Sequence, residues 1–358
     1  MRLDSLLDWF RGQAVTIPPM DGALRPNTAL DDGAAELLEA AAPDNLAASG
    51  GQVFYSSGHD LLRLPAYGEA GPAVVARCEA PVSAVACGPD GAVAIGLDDG
   101  RILLKDGTLD GRTLGPAEFG GLACPTALAF GAAGTLFVCQ GSSAHRPSDW
   151  VVDLMSKNAC GSVWRVDLAA GRCERLAGEL AFPYGILPDA AGGVVVAESW
   201  RHRLLRVKPG SGIEPVLTKL PGYPARLAAG ADGGAWLCLF APRNRLIEFV
   251  LEEEAYRADM MREVAREYWI APALSSGAQF LEPLQCGGVK TMGIHKPWSP
   301  TRSYGLLVRL DRNLRPVASF HSRANGRRHG ITSALERDGR VLVTSRGGNA
   351  ILGLTVLP

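Results

Sequence analysis

The sequence has almost no net charge and no long apolar run. Its 358 residues include 36 lysines and arginines and 37 aspartates and glutamates, giving a net charge of −1. A basic field for nucleic acid is therefore absent, and no stretch approaches the roughly 20 apolar residues that a membrane-spanning helix needs. The opening MRLDSLLDWFRGQ carries Asp4 and Asp8 where a signal peptide would be apolar. This pattern predicts a short amphipathic helix in a cytoplasmic protein.

Motifs of several enzyme classes are also missing. The eight cysteines form no C-x-x-C pair, so the spacing of structural zinc and dithiol redox sites is absent. Cys87, Cys139 and Cys238 lie in apolar runs, as reduced core cysteines do. There is no G-x-S-x-G elbow, no P-loop, no G-x-G-x-x-G after a strand and no H-E-x-x-H. We therefore expect no nucleotide cofactor and no zinc.

Turn-forming residues, in contrast, are abundant, and they belong to a repeat. The 43 glycines and 24 prolines favour many short strands. Six copies of one phrase occur, each a first strand, a glycine turn and a second β-rich run, and they begin at Pro43, Pro81, Pro125, Pro183, Pro224 and Arg328. Without insertions at 144–160 and 251–303 their spacing is ~40–50 residues, the length of one four-stranded propeller blade. The sequence predicts an all-β, six-bladed β-propeller with a helical and loop insertion in the fifth blade.

The repeat also divides the chain. Residues 1–42 precede it and would supply the N-terminal helix and a ring-closing strand, which we place within 12–27; residues 43–358 would form the propeller. Helical periodicity over 248–269 predicts one substantial helix in the second insertion. That insertion is too long for a routine turn. It could serve as a lid over a pocket or as the contact between two copies of the chain.

The start of each repeat predicts where a binding site would lie. The chain enters each blade at the central axis, so the residues after each proline should surround one mouth of the tunnel. They are Asp44, Asn45, Val82, Ser83, Thr126, Ala127, Tyr184, Gly185, Ala225, Arg226, His329 and Gly330. Two neighbours of this ring are candidates as well: Trp150 and His145 of the first insertion, which could rim the pocket or pack within a short capped helix.

Three side chains of the ring are candidates for chemistry. His329 is the candidate proton carrier, because imidazole exchanges protons near neutral pH; its alternative is a half-buried histidine bonded to backbone. Arg226 could hold a carboxylate of the substrate, or tie blades together through Asp44. Tyr184 could form a polar aromatic wall, and Tyr223 could join it, although packing is the favoured role for Tyr223.

Several phrases resemble the strictosidine-synthase-like family, within the gluconolactonase and paraoxonase group of six-bladed propellers. The strongest are AFPYGILPDAAGGVVVAESWRHRLLRV, LPGYPARLAAGADGGAWLCLFAPRNRLIEFV and the segment from SYGLLVRLD to SRGGNAILGL. The resemblance spans about residues 15–358. It implies an enzyme that acts on a small organic molecule, by lactone-like hydrolysis or a related C–N or C–O bond reaction.

The departures from that family concern its metal and its catalytic acid. Metal-dependent relatives place asparagines of F-P-N-G and G-Y-P-D-N phrases near a central calcium, and here Tyr184 and Arg226 occupy those positions. A phenol is a poor calcium ligand and a guanidinium repels the ion, so calcium is disfavoured, with Asp44 and Asn45 as the remaining candidate ligands. The glutamate of the plant synthase aligns at His329, which argues against strictosidine formation.

These observations predict an enzyme for a small, anionic organic substrate that works by metal-independent acid–base chemistry. Two alternatives stay open. One is a non-catalytic propeller that has lost the calcium site and binds a ligand or a protein. The other is a hydrolase that retains calcium.

Overall fold

The computed structural model describes residues 17–355 apart from 66–68, 70, 89, 133, 190–191, 211, 278–280, 283–286, 292–293 and 300. Between 287 and 299 it describes the backbone alone. The N-terminal helix predicted within residues 1–13 lies outside the described residues.

The strand and turn pattern of the repeat forms six four-stranded antiparallel sheets in the described chain. In chain order the strands are β1 (Ala35–Glu39), β2 (Asp44–Ser49), β3 (Gln52–Ser57), β4 (Asp60–Arg63), β5 (Ala73–Arg77), β6 (Val82–Cys87), β7 (Val93–Leu97), β8 (Ile102–Lys105), β9 (Thr113–Leu114), β10 (Pro125–Phe130), β11 (Thr135–Gln140), β12 (Gly161–Asp167), β13 (Arg172–Leu180), β14 (Pro183–Pro188), β15 (Val194–Glu198), β16 (Arg203–Lys208), β17 (Gly212–Leu217), β18 (Gly222–Ala229), β19 (Ala235–Pro242), β20 (Gly287–Thr291), β21 (Ile294–Ser299), β22 (Gly305–Leu310), β23 (Pro316–Ser322), β24 (Ile331–Arg337), β25 (Arg340–Ser345) and β26 (Ala350–Thr355). Blades 1 to 4 are β2–β5, β6–β9, β10–β13 and β14–β17. Blade 5 is β18, β19, β22 and β23, and blade 6 is β24, β25, β26 and β1. The predicted six-bladed propeller is confirmed.

The first and last strands close the ring. β1 pairs antiparallel with β26, with Ala35 opposite Gly353 and Glu39 opposite Ala350. This pairing joins the two ends of the described chain in one blade, with β1 as its outermost strand. The closing strand was predicted within residues 12–27, of which the structure describes 17–27. That prediction is wrong there, because these residues contain only a 3-10 turn at Gly22–Leu24. That segment carries three prolines, which cannot donate to a sheet ladder.

The core lies between neighbouring blades, which pack face to face. Along β15 the side chains alternate: Val196 belongs to the buried cluster that contains Phe137 of blade 3, and Val195 belongs to the cluster that contains Leu237 of blade 5. Successive side chains of a strand point to opposite faces. Because both faces of β15 are covered, its sequence is apolar at every position from 194 to 197 rather than at every second one.

The described residues contain α1 (Trp150–Met155) in the first insertion, and α2 (Arg245–Glu252) and α3 (Glu254–Glu263) between β19 and β22, where the second insertion lies. The single helix predicted over 248–269 is therefore wrong. At 3.6 residues per turn, one straight helix would place Met260 opposite Leu251, whereas the break at Glu253 lets both be buried. Within the described residues, no helix combines the length and apolarity needed to cross a membrane.

Candidate functional site

The inner strand of every blade carries a register shift near its start. The shifts fall between Asp44 and Ala47, Val82 and Ala84, Pro125 and Ala127, Pro183 and Gly185, Pro224 and Leu227, and Ile331 and Ser333. A β-bulge bends the strand and redirects the side chain of the extra residue. In blades 2 to 5 the residues within the shifts include Ser83, Thr126, Tyr184 and Arg226, which are among those predicted to face the axis.

Blade 6 differs, and this moves His329 away from the axis. The bulged residue there is Thr332, three residues after His329. The sixth copy of the repeat has no proline at its start, so its predicted first residue lies too early in the chain.

His329 is instead a buried link between loops. Its side chain is 4% exposed, its Nδ1 lies 2.8 Å from the Ser303 hydroxyl, and its Nε2 lies 2.8 Å from the Arg323 carbonyl oxygen. A carbonyl can only accept, so Nε2 carries the proton and Nδ1 accepts from the hydroxyl. Burial lowers the pKa of His329, which favours this neutral form. Its role as proton carrier stays a prediction, and the geometry gives that role no support.

Arg226 ties three blades to blade 5. Its guanidinium donates to Asp44 Oδ1 at 2.8 Å, to the Ser83 carbonyl at 2.7 Å and to the Thr126 carbonyl at 3.2 Å. The Tyr184 ring covers its face, with the guanidinium carbon 4.8 Å from the ring centroid. Burial disfavours its charge, but Asp44 and Tyr184 outweigh burial and raise the pKa of Arg226. Of the two roles considered for Arg226, the structure shows the internal tie.

A cavity opens at the mouth of the tunnel beside this tie. It has about 610 Å³ of empty space, part of it open to solvent. Its lining residues are Asp44, Pro81, Val82, Ser83, Asp98, Thr126, Pro147, Ser148, Trp150, Phe182, Tyr184, Trp200, Phe240, Leu274 and Arg346. Both insertions contribute, the first through residues 147–150 and the second through Leu274.

Five aromatic side chains form one wall of the cavity. Phe182 and Trp200 stack with ring centroids 4.4 Å apart and planes 20° apart. Trp150 meets Phe240 edge to face at 5.3 Å, and Tyr184 meets Phe240 edge to face at 5.9 Å. These contacts hold each ring in place, so the wall is formed without a ligand.

A buried carboxylate in α1 fixes this wall to the first insertion. Asp153 accepts hydrogen bonds from the Trp200 indole nitrogen at 2.8 Å and from the Asn158 amide at 2.9 Å. His145 lies 3.2 Å from the same carboxylate through Nδ1. His145 is therefore a support of the insertion and does not line the cavity. Trp150, its predicted neighbour at the rim, does line it.

The other predicted residues divide between the cavity wall and the core. Ser83 and Thr126 line the cavity, but their hydroxyls donate to the carbonyls of Pro125 and Pro183 in the next blade. Asn45 is 1% exposed and donates to a serine of β3. Tyr223 is fully buried between Trp200 and Phe240, and burial raises the pKa of its phenol well above the usual value. Neither Asn45 nor Tyr223 lines the cavity.

Several lining residues were not singled out from the sequence, and four of them share one position: Asp98, Trp200, Phe240 and Arg346. Each lies within two residues of the end of the second strand of its blade. In an antiparallel hairpin the end of the second strand lies beside the start of the first. The same repeat therefore also marks this half of the ring, near the end of each second strand, whereas the predicted ring contained only residues from the first strands.

A second group of buried titratable residues anchors α2 to the propeller. Arg243 donates to both carboxylate oxygens of Glu248, at 2.9 and 3.0 Å, and His202 Nε2 lies 3.5 Å from that carboxylate. Burial alone would raise the pKa of Glu248, but the contacts with His202 and Arg243 outweigh it and lower the pKa from 4.5 to about 2. Glu248 is therefore ionised at neutral pH.

The axis does not fit a calcium ion of the kind that the family resemblance implies. Calcium takes six to eight oxygen ligands, whereas the Arg226 guanidinium occupies the space among Asp44, Ser83 and Thr126. Among the residues that the structure describes, no three histidine, cysteine, aspartate or glutamate side chains come together in a way that could hold a metal.

The chain is a six-bladed propeller with a cavity at one mouth of its tunnel, and comparison with known proteins agrees on the fold. No protein-family model and no curated protein matches the sequence. Solved structures do match. A gluconolactonase from Xanthomonas campestris is 12% identical with a TM-score of 0.58, covering 95% of this chain and 99% of that one. The calcium-binding protein regucalcin from Agrobacterium tumefaciens is 14% identical with a TM-score of 0.55, covering 91% and 94%. A streptogramin B lyase is 12% identical with a TM-score of 0.50, covering 92% and 99%.

These likenesses show the fold that the chain shares with gluconolactonase- and regucalcin-like propellers. The finer resemblance to strictosidine-synthase-like proteins stays a prediction.

Proposed function

We propose that the protein is a hydrolase-type enzyme that acts without a metal on a small organic molecule held in the axial cavity. The cavity itself carries this proposal. An apolar wall with a few convergent polar groups is the usual lining of a ligand site, and this cavity sets five aromatic rings beside Asp44, Asp98 and Arg346. Among proteins of the same fold are a gluconolactonase and a lyase, which supports a lactone or a similar ester as substrate class.

Asp44 is the side chain best placed to accept a proton there. Its Oδ1 is occupied by Arg226 and by the Asn45 backbone N–H, each at 2.8 Å. Its Oδ2 has one long contact, 3.5 Å from Arg346. Asp98, the other carboxylate of the lining, accepts from the Ser148 N–H and hydroxyl at 2.7 and 2.8 Å. Oδ2 of Asp44 therefore has the freest acceptor capacity of the two carboxylates.

The reaction would use water as nucleophile. Asp44 takes one proton from the water while the water oxygen bonds to the carbonyl carbon of the substrate. When the ring C–O bond of the tetrahedral intermediate breaks, the leaving alkoxide takes the proton back from Asp44. The product is a hydroxy acid, and Asp44 is regenerated.

The metal-independent character of this proposal depends on Arg226. Its fixed charge lies where an ion would need oxygen ligands, and it holds Asp44 in place through a charge-assisted hydrogen bond. A calcium ion would have to displace the guanidinium from three acceptors.

The test is a hydrolysis screen with purified protein, using neutral aromatic lactones and esters with and without a calcium chelator. Turnover should be the same in both. Asp44→Asn should lower kcat by ~10²–10⁴-fold, the usual yield of general acid–base catalysis. Asp60→Asn, which changes a carboxylate paired with Arg77 at the outside of blade 1, is the control. A folded Asp44→Asn variant with full activity would reject Asp44 as the base.

One observation favours a second candidate, a ligand-binding propeller without catalysis. The lining residues that the structure describes include no histidine, cysteine or lysine, and Asp44 is also part of an internal ion pair. Tight binding of a ligand with no turnover of any ester or lactone would favour this candidate.

A further inference from the structure

The cavity lining contains an arginine whose side chain the rest of the fold holds only weakly. Arg346 follows β25 and lines the cavity with its side chain 36% exposed. Among the described residues its guanidinium makes one long contact, to Asp44, and its buried Nε has no hydrogen-bond partner. Arg226, in contrast, donates to one carboxylate and two carbonyls of three other blades. The two arginines therefore differ in function: one builds the ring and the other has donors to offer.

We infer that Arg346 binds a carboxylate of the ligand, and that the rest of this ligand is a flat apolar group lying against the aromatic wall. The guanidinium fork matches a carboxylate with two parallel hydrogen bonds. The Arg346 side chain is 36% exposed beside the cavity, so an acceptor of a ligand can reach its guanidinium.

The charges around Arg346 agree with an anionic group. Asp44 is the carboxylate closest to it, but its Oδ1 is already paired with Arg226. Asp98 has both oxygens bonded to Ser148. Among the described lining residues, Arg346 is the one cation, and the carboxylate it meets is shared with a second arginine. An ammonium group at this point would face two guanidinium groups.

The aromatic wall determines the other half of the ligand. Rings prefer offset-stacked or edge-to-face partners, and Trp150, Trp200 and Phe240 border the same space as Arg346. An aromatic carboxylate meets both requirements, whereas a sugar acid meets only the first. This inference rests on the proposed function, which places the substrate in this cavity. The acid product of ester hydrolysis carries a carboxylate of this kind.

The test is calorimetric titration of the full-length protein with matched probes. They are 3-phenylpropionate, its amide 3-phenylpropanamide, 3-phenylpropylamine, and propionate, which lacks the ring. We expect the phenyl carboxylate to bind ~10–100-fold tighter than the amide, as the loss of a charged hydrogen bond implies. Propionate and the amine should bind more weakly still.

Variants assign the effect to the side chain. Arg346→Gln should remove the preference of the carboxylate over the amide, and Arg346→Lys should restore part of it, because it keeps the charge but loses the fork. Arg172→Gln, at a side chain that is 82% exposed on blade 3, is the matched control and should bind as the wild type does. Unchanged melting temperatures establish that each variant is folded.

Three results would overturn the inference: equal affinity for the carboxylate and the amide, an unchanged preference in folded Arg346→Gln, or no binding of any probe. None of these depends on turnover. A protein that selects carboxylates but hydrolyses nothing would uphold this inference and reject the proposed enzyme. A protein that hydrolyses neutral esters without selecting carboxylates would do the reverse.

Discussion

Replacing Arg226 by methionine should destabilise the propeller strongly. Methionine fills much of the same space but removes the near cation of Asp44, which is 7% exposed and keeps only the Asn45 backbone N–H and the long contact to Arg346. The Ser83 and Thr126 carbonyls lose their shared donor as well. Breaking a buried ion pair by removing one partner costs about 3–5 kcal/mol.

This loss converts into a measurable shift in melting temperature. At ~2.1 cal/mol/K per residue, the 358 residues have an unfolding entropy of about 0.75 kcal/mol/K. The melting temperature should therefore fall by about 4–7 °C. Differential scanning calorimetry at neutral pH measures it, with Arg172→Met as the control, whose effect should stay within about 0.5 kcal/mol.

A double-mutant cycle identifies the pair as the cause. Asp44→Asn in the Arg226→Met background removes the uncompensated charge, so the double variant should lose less stability than the two single losses together. Two results would refute the role of this pair as the tie between blades. One is additive losses of stability; the other is a decrease in the melting temperature of Arg226→Met of less than about 1 °C, where about 4–7 °C is expected.

Three further predictions concern the metal, the acid range and the aromatic wall. Millimolar calcium should leave the melting temperature unchanged, and a calcium-dependent rise would show that an ion can replace the Arg226 tie. The folded-state pKa of Glu248, about 2, lies below the usual 4.5, so its stabilisation, roughly 3 kcal/mol, is complete above pH 4.5 and is lost as the pH falls toward 2. In Glu248→Gln the free energy of unfolding should depend less on pH in that range, and it should be lower than in the wild type at neutral pH. An unchanged pH profile would contradict this. Asp153→Ala should lower the free energy of unfolding by about 1–3 kcal/mol and shift the tryptophan emission, because Trp200 loses its hydrogen bond. Asp149→Ala, which removes an exposed ion-pair partner, should lower it by under about 1 kcal/mol. Equal effects of the two substitutions would argue against the support by Asp153.

The sequence by itself determined the blade architecture of this protein. Strands, glycine turns and their ~40–50-residue period are local properties, because a turn residue acts on its immediate neighbours. For the same reason the first-strand residues Asp44, Ser83, Thr126 and Tyr184 could be assigned to the axis from their place in the repeat, and the structure places all four in the lining of the cavity.

Tertiary structure alone decided which of these residues remain available to a ligand. Arg226 and Asp44 are 182 residues apart in sequence. Only closure of the ring brings them together, and the charge of Arg226 is then paired with Asp44. The bulge at Thr332 turned His329 into a loop support, and Arg346 was left with unused donors. Hydrogen bonds between distant blades settle these roles, and no local pattern records which distant partners a side chain will meet.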